Sequence, residues 1–162
     1  MTPQIITSSE KKLIGKRSTM SLANYRIGEL WRSFMPQVPD IPHRVSADLV
    51  SMAVYPPRHF SSFNPQNEFE RWAAVEVSEY GTVPADLETF LLPGGWYAVF
   101  HYKGASNDPA IFHYIYNTWL PGSAYTLDHR PHVEWLGPKY KNNDPDSEEE
   151  IWIPIQPLKP LP

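Results

Sequence analysis

The chain has 162 residues, long enough for one domain with a core of its own, and 41% hydrophobic against 20% charged content fits a folded globular protein. A net charge of −4 argues against an autonomous DNA binder, which carries a basic face. There is no cysteine, so disulfides, thiolate catalysis, zinc–thiolate sites and iron–sulfur clusters are excluded.

In chain order, "KKLIGKRSTM" (11–20) reads as a strand. In "SLANYRIGELWRSFMP", Asn24 is the expected N-cap. Ile27, Leu30, Trp31 and Phe34 fall at helical spacing, and Pro36 stops the helix. "ADLVSMAVYPP" is a β-like run ended by two prolines, and "FERWAAVEV" (69–77) is another strand. "GGWYAVFHYKG" follows as an aromatic, β-branched strand. "NDPAIFHYIYNTWLP" then reads as a helix with Asp108 at its N-cap, Pro109 at its first position and Pro121 as its stop. "HVEWLG" (132–137) and "EEEIWIPIQ" close the series. No apolar run is long enough for a membrane span, and no signal-peptide region opens the chain, so a cytoplasmic protein is expected.

The order repeats. "IGELWRSFMP" parallels "FHYIYNTWLP" 85 residues later, "DLVSMAVYP" parallels "HVEWLGP", and "FERWAAVEV" parallels "EEIWIPIQ". Each half is strand, helix, strand, strand, the first over about 3–80 and the second over about 88–156, with a tail at 157–162. The expected fold is a single α+β domain of two β-α-β-β modules related by a pseudo-twofold. Its two main helices lie on one face of a curved antiparallel sheet, with a cleft at the centre.

Strand side chains alternate between faces. Ile151, Ile153 and Ile155 share one, the natural seat of the helices. Val133 and Trp135 are expected on that side too. This sends Glu134, Leu136, Glu150 and Trp152 to the other face. Such a face is either wet, with its glutamates in water, or the lining of a cavity. Burying an unpaired carboxylate is costly, so Glu134 points to water, has a partner, or meets one.

"LLPGGWYAVFHYKG", "IYNTWLP", "YTLDHRPHVEWL" and "EEEIWIPI" together resemble the GyrI-like small-molecule-binding domain. This is also the effector-binding domain of AraC-family and multidrug-sensing MerR-type bacterial regulators. The resemblance covers nearly the whole chain and is strongest over 90–155. It implies two strand-helix-strand-strand modules with a ligand cleft between them, where a buried glutamate meets cationic or polar parts of aromatic ligands. Glu134 matches that glutamate, and Leu136, Glu150 and Trp152 match further lining positions. "YPPRHF" departs from the family's acidic pair after the "VY" strand. First-half lining is therefore assigned by symmetry to Met52 and Tyr55, with Trp31 and Trp119 from the helices. The domain begins almost at residue 1, which leaves no room for a helix-turn-helix and implies a stand-alone copy without direct nucleic-acid or membrane binding.

Three functions stay open. One is a module that binds a small, lipophilic, cationic or aromatic molecule. The second is a small-molecule hydrolase with Glu134 as general acid or base and Tyr55 as its hydroxyl partner. The third is a protein-interaction regulator of a transcription factor or topoisomerase, using the acidic segment 144–150 against a partner the sequence does not identify. No histidine pair has metal-ligand spacing, and no metal or cofactor is expected. His101 or His113 as an axial haem ligand is the remaining alternative, implied by a haem-binding relative of the fold.

Overall fold

The structure, a computed structural model, describes residues 1–158. Most of the expected tail lies outside the described residues. In order the elements are β1 (Gln4–Ser8), β2 (Lys11–Ser21), α1 (Ile27–Phe34), β3 (Leu49–Val54), β4 (Glu68–Val77), β5 (Glu88–Leu92), β6 (Gly95–Lys103), α2 (Ala110–Tyr114), β7 (Tyr125–Leu127), β8 (His132–Leu136) and β9 (Glu148–Pro157). The two modules expected from the repeat are β2-α1-β3-β4 and β6-α2-β8-β9. β1, β5 and β7 were not legible beforehand.

Both helices differ in detail from expectation. Arg26, not Asn24, precedes α1, and no side chain caps it. Asn24 instead belongs to the preceding turn, where its backbone N–H donates to Ser21 Oγ. The α-helix ends at Phe34, just before Pro36 as expected, and the chain continues as a 3-10 segment over Met35–Asp40 that tolerates the proline. In the second half Pro109, not Asp108, takes the N-cap position before Ala110, although Asp108 Oδ1 accepts the Ala110 N–H at 3.0 Å. The helix then widens into a π-helical turn over Ile115–Trp119.

The strands form one antiparallel sheet in the order β1-β6-β9-β8-β3-β4-β2-β5, with β7 beside β9. The halves meet at β3 and β8. There Met52 faces Val133, while Met52 also faces Trp72 and Val133 also faces Trp152. The local twofold therefore passes between Met52 and Val133.

The edge strands are exchanged. β1 leads into the first module but pairs with β6 of the second, and β5 leads into the second but pairs with β2. Three residue steps join Ser8 to Lys11, a reach of at most about 10 Å. The sheet must therefore curl until its two ends approach. Gly94 sits at that crossing: a Cβ there would lie 2.6 Å from the Ser8 carbonyl oxygen and 3.0 Å from the Glu10 nitrogen.

Two apolar clusters fill the helix face. Ile14, Met20, Phe69, Ala73 and Val75 pack under Leu30 and Phe34 of α1. Ala98, Phe100, Ile151, Ile153 and Ile155 pack under Ile111 and Ile115. The isoleucine stripe of β9 is thus the helix seat, as expected. A third cluster of Leu13, Val50, Met52, Trp72, Ala74, Leu92 and Val133 lies on the opposite face, with Trp135 and Trp152 against it.

This reverses the expected orientation of β8. Glu134 pairs with Ile151 and Val133 with Trp152. Cross-strand partners share a face. Val133 and Trp135 therefore point away from the helices, and His132, Glu134 and Leu136 point toward them. Bulk and hydrophobicity favoured the other orientation; pairing register decides it.

Candidate functional site

Between the two helix clusters the sheet presents small and polar residues. Ser51 and Ala53 come from β3, Arg71 from β4, His132 and Glu134 from β8, and Glu149 from β9. Alternation places all of them on the helix face, next to the local twofold.

Arg71 is the floor's cation and is only 7% exposed. Its Nη2 donates to Ser51 Oγ at 2.5 Å and lies 3.6 Å from Glu134 Oε1. Its Nε is buried with no partner among the described residues. The Glu134 side chain keeps 19% exposure, so it is reachable from solvent. Glu149 is 5% exposed. Burial pushes its carboxyl well above the usual carboxylate range. The negative field of Glu134 and a hydrogen bond with it add to the shift, and Arg71 opposes it.

Aromatic rings wall this floor. Tyr55 stands 4.4 Å from His59, 4.9 Å from His132, 5.0 Å from Phe60 and 5.2 Å from Phe69, centroid to centroid. Phe60 stacks on His132 at 5.4 Å and meets Tyr116 at 5.0 Å. Tyr116 comes from the π turn, and its hydroxyl shares a hydrogen bond with His132 Nδ1 at 2.7 Å. Burial pushes the Tyr55 phenol up to about 12 and the Tyr116 phenol well above 10. His132 is held down to about 3, first by burial and then by the fields of Arg71, His59 and Arg130. Burial also lowers His59. These four rings are therefore neutral near pH 7.

Phe60, 45% exposed, stands among the rings on the loop between β3 and β4. An open hollow of about 320 Å³ beside it is lined by Thr19, Val54, Tyr55, Pro56, Glu68, Phe69 and Glu70. A second, of about 370 Å³, lies away from the floor at Ile41, His43, Arg44, Ser46 and Ala47. Size alone would select the latter. The former shares Tyr55 and Phe69 with the aromatic wall, while its Thr19, Val54, Glu68 and Glu70 alternate to the face opposite the helices.

Of the residues singled out from sequence, the structure brings Glu134, Leu136 and Tyr55 to the helix face. It does not bring the others to this floor. Met52 and Trp152 lie on the opposite face, where Trp152 Nε1 donates to the exposed Glu150 at 3.2 Å. Trp31 packs edge-on against Phe34, and Trp119 against Phe100. Glu149, one residue from the expected Glu150, is the carboxylate of β9 on the helix face. Its signal was available: it lies two residues before Ile151 on the stripe that seats the helix. Tyr116 is the repeat counterpart of Trp31, four residues after Phe112 as Trp31 is four after Ile27. Arg71, Ser51, His132 and Phe60 carried no sequence signal of their own.

His101 is exposed beside Glu148, with Nε2 2.8 Å from Oε1, and His113 is exposed on α2. Among the described residues no cluster of three or more His, Asp or Glu is arranged to hold a metal ion, and no helix is long and apolar enough to cross a membrane.

Comparison with known proteins agrees with this architecture. Residues 4–155 match the family model of the integron-associated effector binding protein. The transcriptional regulator BrlR of Pseudomonas aeruginosa is 27% identical over 157 residues; the match covers 96% of this chain and 56% of the regulator's length. The fold is similar to that of SAV2435 solved with tetraphenylphosphonium, at a TM-score of 0.67 and 19% identity, covering 96% of this chain and 94% of that one. It is also similar to the C-terminal domain of EcmrR, at a TM-score of 0.69 and 13% identity, covering 98% and 100%. With a duplicated β-α-β-β sheet and a family match that runs through both halves, the chain belongs to the integron-associated effector-binding proteins, a GyrI-like family.

Proposed function

We propose that the chain binds a small, lipophilic, aromatic cation in the cleft over β3 and β8, in a sensing or sequestering role. The observation that carries this is Glu134, a partly exposed carboxylate on a floor ringed by Tyr55, Phe60, Tyr116 and His132. In such a dry, aromatic setting charge attraction is stronger than in water, and each cation–π contact adds about 0.5–2 kcal/mol. The neutral imidazole and phenols leave the floor without competing positive charge beyond Arg71. The bound tetraphenylphosphonium in the structure of SAV2435 is a ligand of this chemical type.

The test is equilibrium binding of tetraphenylphosphonium, followed by tryptophan fluorescence, to the wild type and Glu134→Gln. A charge-assisted contact is worth about 1.5–3 kcal/mol, so affinity should fall roughly 10- to 100-fold. Equal affinity in the two proteins would remove Glu134 from the reading.

A further inference from the structure

We propose that Glu149 is a second ligand-binding carboxylate, and that the cleft takes up a monovalent aromatic cation in exchange for one proton of the Glu134–Glu149 pair. The inference rests on the proposed ligand-binding reading.

It starts from the charges on the floor. One guanidinium, Arg71 of β4, faces two carboxyl groups, Glu134 of β8 and Glu149 of β9, across β3 on the helix face of one sheet. With one proton on the pair, the floor is neutral. A bound cation would then leave a net positive charge in a low-dielectric site, which is costly. Loss of the proton restores neutrality: the Glu149 O–H bond breaks, the proton passes to solvent, and the carboxylate stays to meet the cation. Burial and the neighbouring Glu134 both raise Glu149, so the free protein holds this proton near pH 7.

The other groups facing the pair do not supply the proton. Arg71 approaches from β4, Tyr55 from the end of β3, Tyr102 from β6 directly opposite Glu149, Tyr116 from the π turn, and Tyr140 from the loop after β8. Tyr25 faces Arg71 and Tyr140 from the segment before α1, and His132 on β8 is set among Arg71, His59 and Arg130. Burial raises the phenols of Tyr55, Tyr102, Tyr116 and Tyr140 and lowers the imidazoles of His59 and His132, so none of these six changes charge near neutrality.

Titration calorimetry of the full chain with tetraphenylphosphonium chloride, at pH 7 in phosphate and in Tris, counts the protons released. The expected result is release of about one proton per ligand and an affinity that rises up to about tenfold per pH unit while Glu149 remains protonated. In Glu149→Gln both the release and the pH dependence should vanish. The pH series on the wild type stands as a test even if that variant does not fold. Tight binding with no proton release and no pH dependence overturns this inference and leaves the binding reading intact. Absence of binding at every pH overturns both.

Discussion

His132 and Glu149 act on stability in opposite directions, and this can be read out by substitution. His132 is depressed to about 3 in the folded chain, against about 6.5 when unfolded. Its contribution is present above pH 6.5 and is lost as pH falls through that window toward 3. The slope is about 1.4 kcal/mol per pH unit, so acidification from pH 7.5 to 5 costs about 2 kcal/mol. Glu149 is raised in the folded chain. Its contribution is present below the unfolded carboxyl pKa and is lost as pH rises through the folded one. Over the same acidification it therefore adds stability. On acidification from pH 7.5 to 5 the wild type should fall between the two single variants, Glu149→Gln and His132→Phe. Glu149→Gln should lay bare the histidine and lose about 2 kcal/mol on acidification. His132→Phe keeps a ring against Phe60 and Tyr55, removes the titration, and should gain stability instead. Urea unfolding at the two pH values, with m-values compared, gives the three slopes. Identical slopes in all three proteins would refute the neutral, buried state of both groups.

Further substitutions probe the frame and the floor. Arg71→Met removes the floor's own cation. It should destabilise the fold by about 3–5 kcal/mol at pH 7, as when one partner of a buried ion pair is deleted, while raising tetraphenylphosphonium affinity in the same binding assay. Ile153→Ala, at a fully buried seat under α2, should cost about 2–5 kcal/mol in urea unfolding. Phe60→Ala should change stability by less than about 1 kcal/mol because the ring is half exposed, yet speed ligand entry in stopped-flow fluorescence.

The modules were legible because each depends on local signals. The helical spacing of Ile27, Leu30, Trp31 and Phe34 and the alternating isoleucines of β9 state their own geometry. Their repetition states the twofold. The site depends on pairing, and pairing is not local. Which face Glu134 takes follows from its being opposite Ile151 rather than Trp152, a fact that belongs to two strands at once. The same gap put Glu150 in place of Glu149, although the spacing to Ile151 held the answer. Symmetry pointed to Trp119, but its ring is spent on Phe100, and Tyr116 one turn earlier is the residue that meets His132. The exchange of β1 and β5 had no sequence signature, since short edge strands look like turns.

The twofold frame carries an asymmetric charge, and this bears on whether the halves can exist apart. By register, Phe69 and Arg71 of β4 correspond to Glu149 and Ile151 of β9, and Ala53 corresponds to Glu134. Both carboxylates thus come from the second half, and their counter-ion crosses from the first. Alone, the second half would present two acids on its helix face without a cation. It would also lose β1 from the edge of β6, as the first half would lose β5 from the edge of β2. Each half therefore holds a strand the other needs, and the β3–β8 seam lies between these two clasps. Cleavage at a protease site inserted between β4 and β5, in the exposed stretch near Gly81, cuts the covalent link and none of these contacts. The nicked chain should elute as one species on size exclusion without denaturant and come apart in urea. Separation of the fragments in buffer alone would show that the exchanged strands and the shared charge do not bind the halves together.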